Sequence, residues 1–144
     1  MAQLLIRSAR QEDCRDIAHL CGQMGYPTAP EDVARRLRHI LQFEHGALFV
    51  AEIEGGVVGW IQVVTYPLPE MDLHAELGGL VVNEAHRGQG VGSALMVRAE
   101  EWARTQGCLE VRIRSNIIRK RAHKFYKQAG YESIKTQYTF RKPL

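Results

Sequence analysis

Several features are missing from this chain, and each absence excludes a class. No apolar run approaches the ~20 residues that a helix needs to cross a bilayer, so no membrane partner is expected. Only three cysteines are present. Cys14 and Cys21 fall on one helical pattern with a rise between them of roughly 10 Å, too far for a bridge within that helix, and all three are expected as reduced thiols. Catalysis by cysteine is disfavoured too, because Cys14 and Cys21 share an apolar face with Ile17 and Cys108 has no histidine nearby in sequence. The opening residues turn polar too soon for a signal peptide, so a cytoplasmic location is expected. Strong charge is also lacking: the formal net charge is +3. The basic residues gather between Arg112 and Lys127, which suits one phosphate-bearing ligand better than a nucleic-acid groove many phosphates long. Neither nucleic acid nor a metal is expected.

No internal repeat, low-complexity tract or linker divides the 144 residues, so one domain spanning 1–144 is expected, long enough to bury a sizeable core. The patterning predicts a strand at Leu4–Arg7 and a helix at Gln11–Met24 with an inward stripe of Ile17, Leu20, Cys21 and Met24. A second helix should follow Thr28-Ala29-Pro30-Glu31, which has capping-box spacing. Ala47–Ile53 and Val57–Tyr66 read as strands joined by a hairpin turn at Glu54-Gly55-Gly56. Pro67–His74 reads as an irregular connection, with a strand after it from about Ala75. Beyond a long helix stopped at Gly107, the pattern predicts a strand at Leu109–Ser115, a helix at Arg121–Ala129 and a last strand at Tyr131–Arg141. The order is βααβββαβαβ, an α/β fold with a mixed sheet and helices on both faces.

The most informative stretch is Leu77–Ala94. An apolar strand ending near Val82 passes through Asn83–His86 into Arg87-Gly88-Gln89-Gly90-Val91-Gly92-Ser93, where the long helix begins. Glycines at such a junction allow positive φ and let a ligand approach main-chain N–H groups. The first turn of the helix and its dipole favour an anion there, and the Arg87 fork suits phosphate oxygens. Two phosphate-binding patterns fail on spacing. There is no Gly-x-x-x-x-Gly-Lys-Ser/Thr, and a Gly-x-Gly-x-x-Gly started at Gly88 or Gly90 ends on Ser93 or Leu95.

What fits is Arg/Gln-x-x-Gly-x-Gly/Ala, through Arg87, Gly90 and Gly92. Preceded by Glu76-Leu77-x-x-Leu80-x-Val82 and followed by Ala122-His123-Lys124-Phe125-Tyr126-Lys127-Gln128-Ala129-Gly130-Tyr131, the chain resembles the GNAT superfamily of N-acetyltransferases. The resemblance implies a GNAT-like fold whose central strands splay at a bulge, for which Gly78-Gly79 is the candidate; tight packing against a helix is the alternative reason for those glycines. It implies acetyl-coenzyme A (acetyl-CoA) as cosubstrate. Leu80, Val81 and Val82 would lie along the pantetheine arm, Arg87, Gly88, Gln89, Gly90, Val91, Gly92 and Ser93 at the pyrophosphate, and Asn116 and Phe125 elsewhere on the coenzyme. Much of the family keeps asparagine where this chain has Arg119, and Asn116 is the nearest one.

Two catalytic roles follow from the same resemblance. Tyr126 falls where the family often keeps a tyrosine near the coenzyme sulfur, and a phenol can protonate a departing thiolate; its alternative role is core filler beside Ala122 and Phe125. Glu76 falls where many members hold a carboxylate that deprotonates the acceptor amine, which must be neutral to attack; a solvated strand-end carboxylate is the alternative. His74 and His123 are further candidates for that base. Ser115-Asn116-x-x-Arg119-x-x-Ala122-His123-x-Phe125-Tyr126 is similar to small-molecule members such as aminoalkylphosphonate N-acetyltransferases. The expected activity is direct acetyl transfer to the primary amine of a small molecule. A protein or peptide N-acetyltransferase and a non-catalytic acyl-CoA-binding module are the alternatives, and a homodimer stays open.

Overall fold

The computed structural model describes residues 3–144, and the chain forms two compact units, the first ending at Ile113 and the second spanning Arg114–Leu144. In the first unit the elements are β1 (Leu4–Ser8), α1 (Cys14–Gln23), α2 (Pro30–Ile40), β2 (Gly46–Ile53), β3 (Gly56–Leu68), β4 (Met71–Val82), α3 (Val91–Thr105) and β5 (Val111–Ile113). The strands make one sheet in the order β1-β2-β3-β4-β5, antiparallel except for the parallel pair β4–β5. This is the mixed α/β sheet that the patterning predicts.

Helices cover both faces. Ile17, Leu20, Val33 and Leu37 of α1 and α2 cluster with Leu48, Val50, Trp60 and Val81 of the sheet. On the other face a Cβ at Gly59 would touch Leu95 and Val91 of α3, and Arg98 lies 4.2 Å over the Phe49 ring. Leu95, Met96, Ala99 and Ala103 of α3 are buried; Leu95 and Met96 each contribute about 2 kcal/mol by leaving water. The β2–β3 hairpin turns through Glu54 and Gly55, both at positive φ (51° and 80°), as a two-residue turn matched to strand twist requires.

Three expectations are corrected. Pro67–His74 is a tight hairpin and not an irregular connection: β3 runs to Leu68, β4 starts at Met71, and Leu68 pairs with Met71. Pro67, which cannot donate to a ladder, sits where the register shifts between Tyr66 and Leu68. The capping box of α2 does not form, since Ala29 is the N-cap, Pro30 opens the helix, and the Thr28 hydroxyl donates instead to the Tyr26 carbonyl (2.6 Å).

The third correction concerns the C-terminal end. The second unit holds α4 (Lys120–Gln128), and no strand forms over 131–144 among the described residues. Alternation gives Thr136–Phe140 strand propensity, but a strand also needs a neighbour to pair its N–H and C=O groups. Ile134, Tyr138 and Phe140 are exposed instead. The strand expected over Leu109–Ser115 likewise contracts to Val111–Ile113.

Candidate active site

The site of the first unit is organised by one extra residue in β4. Gln62 pairs with Gly79 and Val63 with Leu77, so Gly78 is bulged out of the β3–β4 ladder. Packing requires glycine here as well: a Cβ on Gly79 would come within 2.8 Å of the Trp60 ring, and one on Gly78 within 2.9 Å of the Gln62 amide oxygen. The bulge is therefore present, and the close packing at this pair is against side chains of β3 and not against a helix.

The bulge changes which backbone groups face which neighbour. Above it, Asn83 N–H donates to the Val58 carbonyl (2.7 Å); by the alternation of an antiparallel ladder, Leu80 and Val82 then turn their N–H and C=O groups away from β3. The Val82 carbonyl accepts from Arg87 Nε at 3.2 Å, in keeping with that direction. Below the bulge, Ala75 N–H donates to the Glu110 carbonyl (3.0 Å), and the β4–β5 ladder covers only Ala75 to Leu77. The parallel pairing thus stops where the main chain of Leu80 to Val82 turns outward, which is the splay expected of the central strands.

Beyond Val82 the chain makes a 3₁₀ turn over Glu84–His86, held by Asn83 Oδ1 accepting from Ala85 N–H (3.0 Å). It then enters the cradle. Gly88 and Gly90 have φ of 76° and 83°, and a Cβ on either would meet nothing within 4 Å. The loop therefore needs glycine for its backbone conformation, and the space beside it is open. Gly90 is the N-cap of α3 and gives no side-chain cap. Ala94 N–H is the first of the helix to return to the cap, bonding the Gly90 carbonyl. The donors of Val91, Gly92 and Ser93 stand at the positive end of a 15-residue helix, where an anion is favoured. These residues fit a pyrophosphate.

Side chains dominate on the other side of the bulge. Glu76 and His74, two apart on β4, share one sheet face and are 9% and 2% exposed. His74 Nε2 lies 3.5 Å from Glu76 Oε2. The His74 ring rests on Tyr66 with centroids 5.5 Å apart, and Arg112 of β5 is the register partner of Glu76. Glu76 is thus a buried carboxylate and not a solvated one. Sequence reasoning named His74 only as a substitute for Glu76; the signal for their pairing was the His-x-Glu spacing. Arg112 was missed, since nothing local tells which strand pairs beside Glu76.

Tyr126, Phe125 and Asn116 belong to the second unit. Burial pushes the Tyr126 phenol above its ordinary range, partly offset by the Arg119 charge, so the hydroxyl keeps its proton. Phe125 and Tyr126 meet edge to face at 5.8 Å. Asn116 Oδ1 accepts from Ile118 N–H (3.1 Å), a local turn contact, and His123 bonds the Ser115 hydroxyl at 3.1 Å. The cysteines are free thiols; burial pushes Cys21 and Cys108 up, away from the thiolate that a nucleophile needs.

A splayed mixed sheet with a glycine cradle opening its central helix defines an acyl-coenzyme-A-binding class of fold. Residues 11–131 match the Acetyltransferase (GNAT) family, and the chain belongs to that family, whose cosubstrate is acetyl-CoA. It is 30% identical over 132 residues to the probable N-acetyltransferase family 8 member 5 of Mus musculus, covering 90% of this chain and 54% of the mouse protein. It is 37% identical over 86 residues to the aminoalkylphosphonate N-acetyltransferase of Salmonella typhimurium, covering 59% of this chain and 56% of that enzyme. The matches thus span little more than half the length of these relatives. In fold, the chain is similar to an aminoglycoside N-acetyltransferase in complex with coenzyme A, at a TM-score of 0.88 and 20% identity, covering 100% of this chain and 97% of the other.

Proposed function

We propose that this chain transfers the acetyl group of acetyl-CoA directly to the primary amine of a small molecule, working in the cytosol as one catalytic domain over 1–144. The observation that carries this reading is the bulge at Gly78, which joins an outward-turned main-chain edge and a glycine cradle to a buried carboxylate on one continuous stretch. The cosubstrate supplies an activated thioester. Arg87 and the N–H groups of Gly88 to Ser93 hold its pyrophosphate, Leu80, Val81 and Val82 align the pantetheine arm, and Asn116 and Phe125 are the remaining candidate coenzyme contacts. Glu76 takes the proton from the acceptor ammonium, so that the neutral amine can attack. Main-chain N–H groups near Leu80 stabilise the charge that develops on the carbonyl oxygen. Tyr126, kept protonated by burial, gives its proton to the leaving thiolate.

The acceptor would enter between residues 22–30 and the β3–β4 hairpin, where Tyr26, Glu70 and Asp72 offer an aromatic and two carboxylates to a cationic amine. The exposed Ile134, Tyr138 and Phe140 support a homodimer. A coenzyme-release assay against a panel of aminoalkylphosphonates, aminoglycosides, simple primary amines and peptides tests the reading. Turnover with one of the small amines is expected. Turnover with peptides alone would move the activity to protein acetylation, and acetyl-CoA binding without turnover on any acceptor would leave a binding module.

A further inference from the structure

The nitrogen of an amine that binds as ammonium gives up two protons in one turnover: one to become a nucleophile, the other after the C–N bond has formed. In the reading above, which this inference rests on, the thiolate leaves with a proton from Tyr126, and Glu76 can seat only one of the two shed by the nitrogen. We propose that His74 is a positioning residue for Glu76 and the second proton seat of the acceptor site.

The geometry supports this at each step. His74 is 2% exposed and its Nε2 lies 3.5 Å from Glu76 Oε2. Its ring is fixed by the Tyr66 ring, on the residue that faces it across the β3–β4 ladder. Its Nδ1 is buried and has no hydrogen-bond partner among the described residues. An imidazole kept only to fill space would bear the cost of that unpaired nitrogen, about 1–3 kcal/mol, which a phenyl ring would avoid. The ladders set Tyr66 of β3 opposite His74 and Arg112 of β5 opposite Glu76, and Arg112 pairs with Glu110 at 3.3 Å.

The transfer balances. The ammonium N–H breaks as the Glu76 O–H forms; that O–H then breaks as an N–H forms on His74 Nε2, leaving an imidazolium beside a carboxylate. Glu76 is again able to accept when the acetylated nitrogen sheds its second proton. When product leaves, the imidazolium and Glu76 each release a proton to water and the Tyr126 phenolate takes one back, so that one proton is released per turnover.

His74→Gln keeps a hydrogen-bond donor but cannot carry the proton, and His74→Asn is the second variant. With an amine that the wild type acetylates, kcat should fall about tenfold near neutral pH with KM for acetyl-CoA unchanged. The loss should shrink to within about threefold as the pH approaches the range where the amine is already deprotonated. A loss that stays constant with pH, or no loss, overturns the role of His74. Should neither variant fold, the wild type decides through kcat in mixtures of light and heavy water: a curved dependence supports two coupled proton transfers, and a straight line overturns them. An amine panel with no turnover at all would take down the acetyltransferase reading and this inference with it, whereas turnover with a pH-independent defect takes down His74 alone.

Discussion

The two halves of strand β4 differ in what they offer. From Ala75 to Leu77 the strand is laddered on both sides, to β3 and to β5, and it presents side chains, with His74 and Glu76 buried on one face. From Leu80 to Val82 the β5 ladder has ended and the strand presents main chain. The single extra residue at Gly78 makes the difference, because it shifts the phase of the backbone groups while the strand continues. In this account the lower half does proton chemistry and the upper half holds the coenzyme. Mutations in β4 and the cradle that follows it should therefore separate turnover from affinity according to the side of Gly78 on which they fall.

The largest effect is expected where chemistry is removed without loss of shape. Tyr126→Phe deletes only the hydroxyl; kcat should fall by about 10²–10⁴-fold with acetyl-CoA affinity nearly unchanged. The measurement is steady-state kcat beside calorimetric affinity, after equal melting temperatures have been confirmed. A kcat within about threefold of wild type, under conditions where chemistry limits turnover, would return Tyr126 to a packing role beside Phe125.

A smaller loss, of affinity and not of turnover, is expected at the cradle. A Cβ at Gly90 forces a left-handed backbone on a side chain that resists it, so Gly90→Val should weaken acetyl-CoA binding at least tenfold, about 1.4 kcal/mol. Unchanged affinity in a folded variant would remove the loop from the coenzyme site.

The bulge itself can be divided into its two glycines. Gly79→Ala pushes a methyl into the rigid Trp60 ring at 2.8 Å, whereas Gly78→Ala meets the movable end of Gln62 at 2.9 Å. Thermal unfolding should show Gly79→Ala destabilised by about 1–3 kcal/mol and Gly78→Ala much less. Equal melting points would mean that Trp60 does not hold this part of the strand.

Much of this was legible in the sequence, and the reasons differ from element to element. The Glu54-Gly55 turn, the α3 stripe and the cradle are local features, set by φ preferences and by apolar spacing within one element. The hairpin at Pro69-Glu70 was missed because two prolines argue for a break, and only the pairing of Leu68 with Met71 overrides them. The strand expected over 131–141 failed for the converse reason: propensity was present and a partner strand was not. In the site, a carboxylate at Glu76 could be read from a motif. Its burial, its contact with His74 and its register with Arg112 are consequences of three strands meeting, which no single segment encodes.

A separate effect, on stability alone, concerns the frame of the first unit. Asp13 is buried, and although desolvation opposes its ionisation, hydrogen bonds from the Arg7 guanidinium and the Arg10 N–H hold its carboxyl below the usual carboxylate range. A carboxyl depressed in the folded state contributes stability above its unfolded value and loses it as the pH falls through the folded one. Asp13→Asn should therefore cost about 2 kcal/mol near neutral pH, and the gap from wild type should narrow on acidification, as read by denaturant melts at several pH values. A gap constant with pH would mean that the charge of Asp13 contributes nothing.

The division of β4 is tested most directly by measuring acetyl-CoA affinity and single-turnover rate side by side for Glu76→Gln and Gly90→Val. The account predicts that Glu76→Gln binds within about twofold of wild type and transfers acetyl about 10²–10⁴-fold more slowly. Gly90→Val should bind at least about tenfold more weakly and, once saturated, transfer at close to the wild-type rate. If both variants lose affinity and rate together, the strand is not divided at Gly78 and the account is wrong.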